Sequence, residues 1–143
     1  MKGLVCMRSS GNIYNISLMA SVLEVAGAEG AANWAKGVAS NFARDPQSND
    51  TGQIRAVASG ECKVSIANTY YIGRLLASGK PEDKAVIDGI RVVFPNQSDR
   101  GTHVNISGAG VVASAPNKEN AIKFIEYLTS DEAQRIFAEG NNE

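Results

Sequence analysis

At 143 residues the chain suits one ordinary domain with a real core, and 43% apolar against 20% charged residues reads as globular rather than disordered. A net charge of -1, with acids and bases interspersed, gives no electrostatic footing for nucleic acid or an anionic membrane as the main partner. No apolar run approaches the roughly 18–20 residues of a membrane span, and the opening MKGLVCMRSS lacks the zones of a secretory signal. The expectation is a cytosolic protein or one whose start has been cut away.

Residues 4–7 are apolar and too few for a helix, so a strand is expected, followed by a polar turn at Arg8-Ser9-Ser10-Gly11. From Asn12 the apolar residues Ile13, Ile16, Met19, Ala20 and Leu23 recur at helical spacing, with Gly27 as the stop. A second helix fits 28–40, and the turn formers of 41–53 predict a loop. Asp50 or Thr51 is expected to cap a helix through Ser59 that Gly60 ends. The β-branched run 61–67 predicts a strand; Asn68 or Thr69 then caps a helix carrying Ile72, Leu75 and Leu76, closed by Gly79. Beyond it, 82–88 reads as a helix, 90–94 as a strand and 95–102 as a loop. Residues 103–113 read as a long, glycine-interrupted strand. Asn117 is expected to cap an amphipathic helix through Leu128. Thr129-x-x-Glu132 reads as the capping box of a last helix reaching about residue 138.

Strands alternating with helices predict an α/β fold: a parallel or mixed sheet with helices on both faces. Ligands of such sheets bind beyond the carboxyl ends of the strands, where loops meet helix N-termini. Two strand-to-helix turns meet that description, residues 8–14 and 68–71, and they hold Tyr14, Tyr70 and Tyr71. Tyr70 and Tyr71 are adjacent and cannot share one face of a helix or strand, but a turn can aim both into a cleft. Phenols gathered at one edge suit a hard, highly charged cation, because a phenol with a pKa near 10 needs strong electrostatic help to ionise at neutral pH. Ferric iron prefers such anionic oxygens, and the chain has one histidine. Pattern alone favours the plainer reading of these tyrosines, as rim aromatics with exposed hydroxyls.

The Ser9-Ser10-Gly11 turn at a helix start could instead take an anion, although a cap is the commoner role for such serines. Cys6 and Cys62 read either as buried thiols or as a disulfide, and the lone His103 suits a hydrogen-bonded surface role better than metal ligation. Tyr127 reads as helix packing. The pairs Glu82-Asp83 and Asp131-Glu132 suit helix starts. Without a nucleophile elbow, a P-loop or a Ser-His-Asp order, no enzyme is expected.

The segments RSSGNIYNISL, NFARDPQSNDTGQIRAV, GECKVSIANTYYIGRLL and FPNQSDRGTHVNISGAGVVASAPNKENAIKFIEYLTSDEAQ together resemble the periplasmic ferric-iron-binding proteins of bacterial ABC importers. The resemblance spans nearly the whole chain. It implies one lobe of a two-lobed periplasmic binding protein, with Fe3+ held by tyrosinates and delivered to a membrane permease. Tyr14, Tyr70 and Tyr71 would be second-lobe ligands, with Arg8, Ser9 and Asn68 beside any synergistic anion. Residues 1–100 would form that lobe. Residues 101–143 would hold the strand and helices that cross to the first lobe, whose opening half, with its own ligand, has no counterpart here. The helix at 117–128 would then bare an apolar stripe, favouring pairing with another copy or a rearranged helix. Metal binding by one lobe should be weaker than by two. Periplasmic residence, which the resemblance implies for the parent protein, tilts Cys6 and Cys62 toward a disulfide. An anion-binding protein of the same fold, using Ser9-Ser10-Gly11, is the alternative.

Overall fold

A computed structural model describes residues 2–141. They divide into two compact units, one ending at Asn105 and one beginning at Ile106.

The first unit is an α/β assembly around a small parallel sheet. β1 (Val5–Cys6) pairs in parallel with β2 (Val64–Ser65), Val5 opposite Val64 and Cys6 opposite Ser65. Phe42 adds a single parallel bridge to Val5. Around this sheet run α1 (Ile13–Ala39), α2 (Asp50–Ala58), α3 (Thr69–Ala77) and α4 (Pro81–Asp88). The core forms where α2 meets the strands: Cys6, Ala56 and Cys62 are buried together, with Ala43 and Val57 against them. Cys6 and Cys62 form a disulfide, their Cα atoms 5.9 Å apart across 56 positions of sequence.

α1 covers both helices expected before residue 40. Gly27 breaks it from within at φ 70°, ψ 177°, a conformation open to glycine and costly for other residues. The cap of α2 lies one residue earlier than the sequence suggests: the Asn49 side chain accepts from the Gly52 N–H at 2.9 Å. Asp50 is not free for capping, because it is buried and bonded elsewhere. The loop before α2 is pinned by Gln53, fully buried, whose amide donates to the Gln47 and Asn49 carbonyls and accepts from Arg44 at 3.1 Å.

Two expected strands do not form among the described residues. Segments 90–94 and 103–113 lack ladder partners, and Val93, Val104, Ile106 and Val112 are at least 70% exposed. β-branched content favours extended backbone, but a strand exists only where a neighbour offers its ladder. The sheet is correspondingly smaller than the sequence suggests.

The second unit holds α5 (Lys118–Leu128) packed on α6 (Asp131–Asn141). Thr129 does not cap α6 as the capping-box pattern suggests. It closes α5, its hydroxyl donating to the Glu126 carbonyl at 2.8 Å, and Ser130 accepts from the Ala133 N–H instead. α6 also runs three residues past its expected end. α5 has no buried residue; Ile122, Phe124 and Tyr127 are all more than 40% exposed, so Tyr127 is not the packed core residue its spacing suggests.

Candidate metal centre

Parallel pairing of β1 and β2 brings the turns that follow them to the same end of the sheet, which is where the tyrosines lie. In the first turn, Asn12 caps α1 by accepting the Tyr14 N–H at 2.9 Å. The buried Asn15 amide reaches back to the carbonyls of Arg8 and Ser9, both at 2.9 Å. Ser9 also accepts the Gly11 N–H through its hydroxyl and the Asn12 N–H through its carbonyl. The turn therefore satisfies the Gly11, Asn12 and Tyr14 N–H groups internally and holds Tyr14 in the first turn of α1. Tyr70 and Tyr71 occupy the first turn of α3, behind Asn68.

The three rings form one cluster. Tyr14 meets Tyr70 edge-on with centroids 6.5 Å apart, and Tyr70 lies 4.5 Å from Tyr71 at a tilt of 38°. Two guanidinium groups flank it. Arg8 stands 4.6 Å from the centre of the Tyr14 ring; Arg74, one turn along α3, is 5.3 Å and 5.4 Å from Tyr70 and Tyr71. Both adjacent tyrosines join one cluster from the start of a helix, with the Tyr70 ring between those of Tyr14 and Tyr71.

Arg8 is buried and forms an ion pair with the fully buried Asp50, whose other oxygen accepts the Asn68 N–H at 2.7 Å. Asp50 therefore ties together the turns that carry Tyr14 and Tyr70. Losing one partner of a buried pair typically costs about 3–5 kcal/mol. Sequence reasoning placed Asp50 among helix caps and missed this role. The available signal was Arg8 itself, a cation beside a strand with no acidic residue nearby in sequence.

Electrostatics within the cluster are strongly coupled. Hydrogen bonding from Tyr70 and then Tyr71 lowers the pKa of Tyr14, and the charges of Arg8 and Arg74 act the same way. Burial, followed by hydrogen bonding to Tyr14 and Tyr71, raises that of Tyr70 above the ordinary phenol range. Burial likewise pulls Arg8 below its usual value, against the opposing pull of the three phenols. One phenolate is eased by its neighbours' hydroxyls and a second is opposed by the first. Full ionisation therefore calls for a cation of high charge. Among the described residues no group of three His, Cys, Asp or Glu side chains offers a rival metal site.

A pocket of about 280 Å³ opens beside Tyr70, lined by Asn68, Phe94, His103 and Asn105 among others. His103 is hydrogen-bonded, as its isolation in sequence suggests: its Nε2 lies 3.0 Å from the Ser17 hydroxyl.

A family model described as bacterial extracellular solute-binding protein matches residues 2–142. The chain belongs to that family. Among curated solute-binding relatives it is 57% identical over 142 residues to iron uptake protein A1 of Synechocystis, covering 99% of this chain and 39% of the relative. It is 30% identical to the major ferric iron-binding protein of Neisseria meningitidis serogroup B, over 80% of this chain and 33% of that one. The Trichodesmium protein IdiA (FutA), solved in complex with iron and citrate, superposes with a TM-score of 0.93 at 61% identity. That match covers 99% of this chain and 45% of the solved one. A ferric-binding protein from Campylobacter jejuni superposes at 0.92 and 42% identity. The chain thus spans less than half the length of these relatives and matches one lobe of the ferric-binding fold.

Proposed function

We propose that Tyr14, Tyr70 and Tyr71 bind ferric iron as phenolates, and that the protein is the solute-binding component of an ABC importer that hands the ion to a membrane permease from the periplasm. The observation that carries this reading is the gathering of three phenols, from turns 56 residues apart, between two guanidinium groups. Three phenolates neutralise a trivalent ion, and the arginines help the phenols ionise. The names of the relatives, iron uptake and ferric-binding proteins, support the same cargo. Binding and release need no catalytic step.

Residues 1–100 act as the tyrosine-bearing lobe in this reading, and 101–143 cross toward the remaining lobe. The bare apolar face of α5 supports pairing with another copy where that lobe is not present. Arg8, Ser9 and Asn68 belong to the turns that carry the tyrosines and would border a synergistic anion. Their bonds argue against an anion as sole cargo: Asp50 already neutralises Arg8, and Ser9 takes the Gly11 and Asn12 N–H groups.

Adding ferric citrate should produce a visible phenolate-to-iron charge-transfer band, lost in the Tyr70→Phe/Tyr71→Phe double variant. Affinity should fall as pH drops, because each bound phenolate displaces a proton. A colourless protein that retains no iron sinks the reading.

A further inference from the structure

Four side chains run in a hydrogen-bonded line from α1 to the tyrosine cluster. The Ser17 hydroxyl lies 3.0 Å from His103 Nε2, which is 3.2 Å from Asn105 Oδ1. Asn105 Nδ2 donates to Asn68 Oδ1 at 2.6 Å, and Asn68 Nδ2 faces the Tyr70 hydroxyl oxygen at 3.4 Å. Ser17 lies one turn beyond Tyr14 on the same helix, so the line joins the two helices that carry the phenols.

As the two amides are oriented in the structure, donors and acceptors follow one order along it. An amide has one accepting and one donating end. Asn105 gives its NH2 to Asn68 and so turns its oxygen to His103 Nε2, and the Nε2–H tautomer serves that oxygen, sharing its one hydrogen with the Ser17 hydroxyl oxygen. Asn68, its oxygen taken by Asn105, has only its NH2 left for Tyr70. A donor facing the phenol oxygen directs the hydroxyl hydrogen elsewhere and holds the oxygen in a defined place.

We propose that Asn105 is a positioning residue for Tyr70: it sets the orientation of the Asn68 amide and thereby the placement of the Tyr70 oxygen in the cluster. The role of that oxygen as an iron ligand rests on the function proposed above; its placement by Asn105 does not.

Two readouts separate them. In the iron-free chain labelled with fluorotyrosine, Asn105→Ala should shift the 19F resonance of Tyr70 and leave that of Tyr127 in place. In the chain loaded with ferric citrate, the same variant should move the charge-transfer band and weaken iron retention against a competing chelator roughly tenfold, a typical size for loss of a group that orients a ligand. Asn105→Asp, which has only acceptors to offer Asn68, should weaken it further. His103→Gln keeps a donor for Asn105 and should resemble the parent; His103→Ala should resemble Asn105→Ala. An unmoved Tyr70 resonance in Asn105→Ala overturns the proposal whether or not iron binds. A moved resonance without any iron band in the parent chain upholds the positioning and removes the ferric reading alone. Asn105→Asp behaving no worse than Asn105→Ala shows that amide orientation is not the lever.

Discussion

Tyr70 is the residue on which the site's chemistry turns. Its raised pKa means that the folded chain favours the neutral phenol, while the unfolded chain releases that proton near pH 10. The stabilising contribution is therefore fully present below about pH 10 and is lost as pH climbs toward the folded value. Tyr70→Phe removes the effect, so its alkaline unfolding midpoint, followed by far-UV circular dichroism, should lie above that of the parent. A midpoint at or below the parent's contradicts the assignment. The three tyrosines could be found in sequence because strand-to-helix turns have signatures of their own. Asp50, Asn105 and His103 could not be placed, since the partners that tie them to the tyrosine-bearing helices lie 18 to 86 residues away and nothing local marks such pairings.

Among the elements, helices were far more legible than strands. Periodicity and caps located α1 to α6 to within a few residues, because a helix satisfies its backbone within its own segment. A strand needs another segment, so the runs at 90–94 and 103–113 read as strands while the chain leaves them unpaired. Gly27 was legible too, as a helix stop, and it provides a direct test. Held at φ 70° with open space around its α-carbon, it should accept a methyl group sterically but not conformationally. Gly27→Ala should therefore lower stability by about 1–3 kcal/mol, measured by urea denaturation. Gly37→Ala, in the same helix with equally open space, should be neutral or stabilising. Equal effects at the two positions would show that the break at Gly27 carries no strain.

For the molecule as a whole, the α/β lobe was apparent from alternating elements, whereas its membership in a larger two-lobed architecture came only through resemblance. One covalent bond dominates the first unit. A disulfide across 56 positions restricts the unfolded chain enough to contribute about 4 kcal/mol. Cys6→Ser/Cys62→Ser should show that loss in thermal unfolding, and a reductant should reproduce it in the parent but leave the variant unchanged.

That bond also sets a timetable. Tyr14 lies eight residues beyond Cys6 and Tyr70 eight beyond Cys62, so the two arms that reach the cluster are of equal length from a single anchor. During synthesis Tyr14 emerges long before its companions, and until the cysteines join, the arms are held side by side only by non-covalent ties, the two-residue pairing and the Asp50 bridge. Joining the cysteines fixes the common origin of both arms, so reduction should loosen the approach of Tyr14 to Tyr70 as well as lower stability.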